Sequence, residues 1–113
     1  MMQPKDYTRL KHMMEYAEEA KDLAIETTRD KLATDRKLEL ALTRLVEIIG
    51  EAAARVSTQT REKYPDIPWI EMIGLRNRLI HGYDAVDLDI LWDILMEDLP
   101  PLIQRLKVLL DKS

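Results

Sequence analysis

The chain has 113 residues, 46% of them hydrophobic and 34% charged, with a formal net charge of −4. That length suits a single domain over residues 1–113 with a modest core. An acidic balance excludes a general nucleic-acid coat, which needs a broad basic footprint, but not an enzyme whose few arginines gather in one cleft.

With no cysteine there is neither a disulfide framework nor a thiolate metal site. Helix formers dominate, glycine occurs three times and phenylalanine is absent, so the expected fold is all-α, an up-and-down bundle of four to five helices. Met1 to Asp6 lacks the apolar core of a signal peptide, and no run approaches membrane-spanning length, so a cytoplasmic protein with no membrane partner is expected.

A first helix should begin after Pro4, with Asp6 near its start, where a carboxylate favours the helix dipole. Tyr7, Leu10, Met13, Met14, Ala17, Ala20 and Ala24 recur at the spacing of one buried stripe, which fades around Glu26 to Thr28. A short connection containing Arg29 to Thr34 follows. The second helix reads from Asp35, a good N-cap, to about Val56. Its stripe of Leu38, Ala41, Leu42, Leu45, Ile48, Ile49, Ala52, Ala53 and Val56 is wide enough for a central helix or one shared with a second chain. Gly50 in its interior costs about 1 kcal/mol against alanine and suits a place where another helix comes close. The polar segment from Ser57 to Pro68 reads as a connection. A third helix should start at Pro68, carry Trp69, Ile70, Met72, Ile73, Leu75, Leu79 and Ile80, and end at Gly82. Asp87 should cap a fourth helix through Leu88, Leu91, Trp92 and Leu95. Pro100 and Pro101 should kink or break its path before a last helix from Leu102 to Leu110.

The third helix ends in the most informative stretch, Arg76-Asn77-Arg78-Leu79-Ile80-His81-Gly82-Tyr83. Arginine holds phosphate by forked hydrogen bonds, and histidine takes and gives protons near neutral pH. Together they suit phosphodiester chemistry, with Arg76 and His81 as catalytic candidates and Asn77 and Arg78 as supporting ones. On an ideal helix Arg76 and His81 lie roughly 140° apart, so they can converge only if the helix ends between them, while Asn77 and His81 would be neighbours. Cleavage of RNA by internal attack of the 2′-hydroxyl needs one group to take that proton and another to protonate the leaving 5′-oxygen. The stretch supplies one imidazole, and His12 reads as an ordinary surface histidine. A symmetric dimer would bring two His81 and two Arg76 to one cleft, which predicts a homodimeric catalytic unit.

Plainer readings stand beside these. A helix-terminal His before Gly often only complements the dipole, Tyr83 can simply pack, and Trp69 and Trp92 read as core or interface anchors. Glu47 and Glu51, one turn apart, could bind a metal with His81 or hold Arg76; a carboxylate pair alone is weak support for metal, and no cofactor is expected.

Arg76, His81 and Tyr83 form an Arg-x4-His-x-Tyr pattern that resembles the motif of HEPN-domain proteins, in particular the HepT branch. Ile48-Ile49-Gly50-Glu51-Ala52, Pro65-Asp66-Ile67-Pro68-Trp69, Trp92 and Asp98-Leu99-Pro100 extend the resemblance over nearly the whole chain. The resemblance implies a dimeric helical bundle with a composite cleft, metal-independent cleavage of RNA (transfer or messenger), and a role as the toxin of a toxin–antitoxin pair. The implied partner is a minimal nucleotidyltransferase antitoxin that silences the toxin by adding AMP to Tyr83. A phosphate and adenosine two residues from His81 would occupy Arg76 and block entry. The competing expectation is a non-catalytic module that docks a nucleotidyltransferase or binds a nucleotide through Arg76. The acidic run Asp84, Asp87, Asp89, Asp93, Glu97 and Asp98 would then be a docking face for a basic partner.

Overall fold

A computed structural model describes residues 2–82 and 85–112. Helix α1 spans Pro4–Ile25, and Leu10, Met13, Ala17, Ala20 and Ala24 of its expected stripe are buried. Tyr7 stays exposed at the stripe's edge. The connection expected over 29–34 is itself a short helix, α2 (Arg29–Thr34), because the Thr28 hydroxyl accepts the Lys31 N–H and starts a turn. Helix α3 (Arg36–Ala54) begins where expected, with the Asp35 carboxylate accepting from the Leu38 N–H at 3.1 Å. Leu42, Leu45, Val46, Ile49, Ala52 and Ala53 face the core, whereas Ala41 is exposed. Helix α1 packs along α3 and the C-terminal helix, so the core lies between these three long elements.

The polar segment after α3 also coils into a helix, α4 (Thr58–Lys63), capped by Ser57. Its N-terminus is fastened to α1 by Asp6, a carboxylate only 2% exposed. Asp6 accepts from the Ser57 N–H at 2.9 Å, the Ser57 hydroxyl at 2.5 Å and the Thr60 hydroxyl at 2.6 Å. Burial alone would raise the pKa of this carboxyl. The hydrogen bonds from Ser57 and Thr60, with the charge of Arg9, outweigh it and hold the group below the usual carboxylate range.

The expected third helix is divided at Gly74 into α5 (Trp69–Ile73) and α6 (Leu75–Leu79). Trp69 and Met72 anchor α5, and Leu75 and Leu79 anchor α6, in the core. Trp69 is thus a core anchor, its indole N–H donating to the Tyr64 carbonyl at 3.0 Å. The expected close approach at Gly50 is real: a Cβ there would stand 2.8 Å from the Met72 carbonyl oxygen.

Helix α6 does not run on to Gly82. Ile80, β-branched, turns extended at φ −103° and ψ 124°, and the Leu79 carbonyl accepts the Asp87 N–H at 2.9 Å. Ile80–His81 (β1) and Ala85–Val86 (β2) pair antiparallel, Ile80 with Val86 and His81 with Ala85. The helical fold therefore carries a minimal hairpin that an all-α reading lacks. Gly82 has φ +75°, so it serves the turn after His81 rather than a helix end.

Asp87 caps α7 (Leu88–Asp93), accepting from the Ile90 N–H at 3.0 Å. The prolines do not interrupt the path that follows. Residues Ile94–Asp98 widen into a π-helical turn, with the Leu99 N–H reaching the Ile94 carbonyl, and α8 (Leu99–Asp111) continues from it. Pro100 and Pro101 fall in the first turn of α8, where a missing N–H costs least. Leu99, Leu102, Ile103, Leu106 and Leu109 complete the core. Among the described residues no helix is long and apolar enough to cross a membrane.

Candidate active site

The short helix α6 carries Arg76, Asn77 and Arg78 outward while Leu75 and Leu79 hold it to the core. Helix α6 ends at Leu79, between Arg76 and His81, and His81 stands on β1, off the helical spiral. The same ending removes the one-turn relation expected between Asn77 and His81. Asn77 is exposed and makes no side-chain hydrogen bond among the described residues.

Each cationic or protonatable group of the stretch faces one carboxylate, and the three carboxylates come from three different elements. Arg76 Nε donates to Glu47 Oε2 of α3 at 3.1 Å. Arg78 Nη1 donates to Asp98 Oδ2, at the end of the π turn, at 2.7 Å. His81 Nε2 lies 3.6 Å from Asp87 Oδ2, too long for a hydrogen bond but close enough for an ion pair when the ring is protonated. Asp87 is firmly held in that position. Its backbone N–H is bound to Leu79, its other carboxylate oxygen caps α7 and its side chain is 35% exposed. The Arg76 and His81 side chains remain 64% and 62% exposed. They can therefore meet a polyanion without first being dug out of the protein.

Tyr83 and Asp84 lie outside the described residues. Three of the six residues in the acidic run read as a docking face have partners within the chain. Asp87 faces His81, Asp98 holds Arg78, and Asp89 takes Arg29 Nε at 2.6 Å. Nor do Glu47, Glu51 and His81 assemble a metal cluster: Glu47 holds Arg76, and Glu51 accepts from Arg44 Nη1 at 3.3 Å. Among the described residues no group of three or more His, Asp or Glu is arranged to hold a metal ion.

Sequence reasoning missed Asp87 and Asp98 as partners of the motif. Asp87 was legible as an N-cap, and the Gly82 between it and His81 is the only signal that the chain folds back.

This is a helical protein with arginines and an imidazole presented at one helix end, an arrangement suited to phosphodiester substrates. The family model of HepT-like ribonucleases matches residues 13–109, and the chain belongs to that family. It is 40% identical over 95 residues to a protein of Methanocaldococcus jannaschii designated an RNase, covering 80% of this chain and 86% of that one. It is 38% identical over 96 residues to the "Probable ribonuclease HepT" of Thermococcus cleftensis, covering 81% and 87%. A Caldanaerobacter subterraneus protein, also designated an RNase, is 32% identical over 113 residues, covering 100% and 99%. No solved structure matches the chain.

Proposed function

We propose that this protein is a metal-independent endoribonuclease that cuts RNA by internal attack of the 2′-hydroxyl. Membership of a ribonuclease family, with exposed Arg76 and His81 on either side of a helix end, is the observation that supports this reading. In the reaction one imidazole takes the 2′-hydroxyl proton as the 2′-oxygen bonds to phosphorus. A second, protonated imidazole gives its proton to the departing 5′-oxygen as the P–O5′ bond breaks. Arg76 neutralises the charge growing on the non-bridging oxygens, exchanging its single bond to Glu47 for a fork on phosphate. Asp87, 3.6 Å from His81 Nε2, can pair with the ring while it carries the proton.

The two imidazoles are the His81 residues of two protomers. A homodimer that joins the two helix ends supplies acid, base and both guanidiniums in one cleft of an otherwise acidic protein. Single-stranded or looped RNA is the favoured substrate, because unstacked nucleotides reach the in-line geometry. The protein is further read as the toxin of a pair whose antitoxin, a minimal nucleotidyltransferase, silences it by transferring AMP to Tyr83. Co-expression with the neighbouring reading frame should add AMP masses to Tyr83, and an unmodified tyrosine in an inhibited complex would remove that step.

The deciding experiment is cleavage of RNA in the presence of chelator, with analysis of the product ends. Ends bearing 2′,3′-cyclic phosphate are expected, and a substrate with 2′-deoxyribose at the cut site should survive intact. Activity that dies with chelator, or that cuts the deoxy substrate, would refute the mechanism.

A further inference from the structure

A trough of about 550 Å³ runs between α1 and α3, lined by none of the motif residues. Its walls bring together Lys5, Arg9 and His12 from α1 and Arg55 from the end of α3, over an apolar floor that includes Ile48. Lys5 and Arg55 have no ion pair among the described residues, and neither does His12. The nearby carboxylates are committed. Glu51, on the rim, is bonded to Arg44, and Asp6, whose charge Arg9 feels, is buried behind three hydrogen bonds. Arg55 is not needed to finish α3 either. Arg61 does that, donating from Nε to the Val56 carbonyl at 3.0 Å and from Nη2 to the Ala54 carbonyl at 2.8 Å. A protein of net charge −4 thus keeps a concentration of uncommitted positive charge in one concave strip.

The strip leads to the motif. Glu51 lines the trough, and Glu47, one turn earlier on the same face of α3, is the residue that holds Arg76. From Glu47 to Arg55 the helix rises about 12 Å. A strand whose scissile phosphate lies at Arg76 can therefore continue along α3 into the trough. The His12 ring, tilted against Tyr16 with centroids 6.0 Å apart, stands at the edge as a surface on which a base can stack.

We propose that this trough is a binding track for the sugar–phosphate backbone of single-stranded RNA, in which Lys5, Arg9 and Arg55 contact phosphates flanking the cut. The proposal rests on the ribonuclease reading for its choice of polyanion, yet its test does not need cleavage. Binding of a fluorescent single-stranded RNA is measured by anisotropy across a salt series, using the intact protein carrying His81→Ala. Adding Arg9→Ala and Arg55→Ala should weaken binding about tenfold and flatten the salt dependence by about 1.4 in log–log slope, two lost phosphate contacts. A control with the same charge loss on α8, Arg105→Ala with Lys107→Ala, should leave both quantities near those of the parent.

Equal weakening by the α8 control would reduce the effect to bulk charge and overturn the proposal. So would unchanged binding in the trough variant, or no RNA binding by the parent. Loss of binding that coincides with dissociation of a dimer on a sizing column would make the trough a contact between copies, again overturning it. The two readings fail separately. Wild-type protein that cuts RNA while trough variants bind normally sinks the track alone; RNA held through Arg9 and Arg55 but never cut sinks the ribonuclease alone.

Discussion

Asp6 and Asp87 both accept a backbone N–H at a helix start, and the contrast between their surroundings separates the scaffold from the site. Asp6 is 2% exposed and held by three short hydrogen bonds that tie α1 to α4. Asp87 is 35% exposed, spends one oxygen on the α7 cap and leaves the other 3.6 Å from His81. The first carboxylate is saturated and immobile. The second is half-buried and faces an exposed imidazole without bonding to it. Glu47 and Asp98 differ from both, each accepting directly from an exposed arginine, Arg76 and Arg78. The Arg76 and Arg78 ends of these pairs stay exposed, at 64% and 41%, while Glu47 and Asp98 are more covered, at 17% and 29%.

The largest expected effect breaks the site and spares the scaffold. His81→Ala should lower the cleavage rate by about a hundred- to ten-thousand-fold, with the thermal midpoint unchanged in a melting scan. Persistent cutting by that variant would relocate the chemistry. Breaking the scaffold should do the reverse. Asp6→Ala removes the acceptor of the Ser57 N–H and of the Ser57 and Thr60 hydroxyls and should cost about 1–3 kcal/mol by denaturant unfolding, with normal activity per folded molecule.

The acid limb sharpens the same point. The folded pKa of Asp6 lies below its ordinary value, so its contribution is full above the unfolded carboxyl pKa and disappears as pH falls through the depressed folded value. Wild type should therefore lose stability as pH falls through and below the ordinary carboxyl range, more steeply than Asp6→Asn. Parallel curves would deny the network its role.

Gly50→Ala tests how the scaffold seats the site. The new Cβ meets the Met72 carbonyl oxygen at 2.8 Å, so α5 must shift and carry the motif with it. A net loss of about 1–2 kcal/mol is expected despite alanine's better helix propensity, and a gain in stability would contradict the close packing. The smallest effect belongs to Asp87→Asn, which keeps an equally good N-cap and removes only the charge. The melting point should hold while the cleavage rate falls. An unchanged rate would leave Asp87 a structural cap.

What the sequence disclosed follows from range. Helices α1 and α3 and the caps Asp35 and Asp87 were legible because periodicity and capping are local signals. Two short helices, α2 and α4, were hidden because six residues carry little periodicity, and only Thr28 and Ser57 marked their starts. The hairpin after α6 depends on Leu79 preferring the distant Asp87 N–H to the next helical turn. The passage through Pro100 and Pro101 needed a change of helix type that residue preferences do not announce. In the site, the chemistry-bearing residues were readable from one short stretch, but their carboxylate partners Glu47, Asp87 and Asp98 come from 29 residues before and 6 and 20 residues after the groups they hold. Of the three, only Glu47 is legible in the sequence as a partner for an arginine.

The most direct test of a cleft that needs an imidazole from each of two protomers is a mixing experiment. Wild-type and His81→Ala chains are unfolded together, refolded in varying ratio, and assayed for RNA cleavage at fixed total protein. If both imidazoles are required, activity falls as the square of the wild-type fraction, to about one quarter in an equal mixture. A straight-line decline, with about half the activity retained, would mean that each protomer cuts alone.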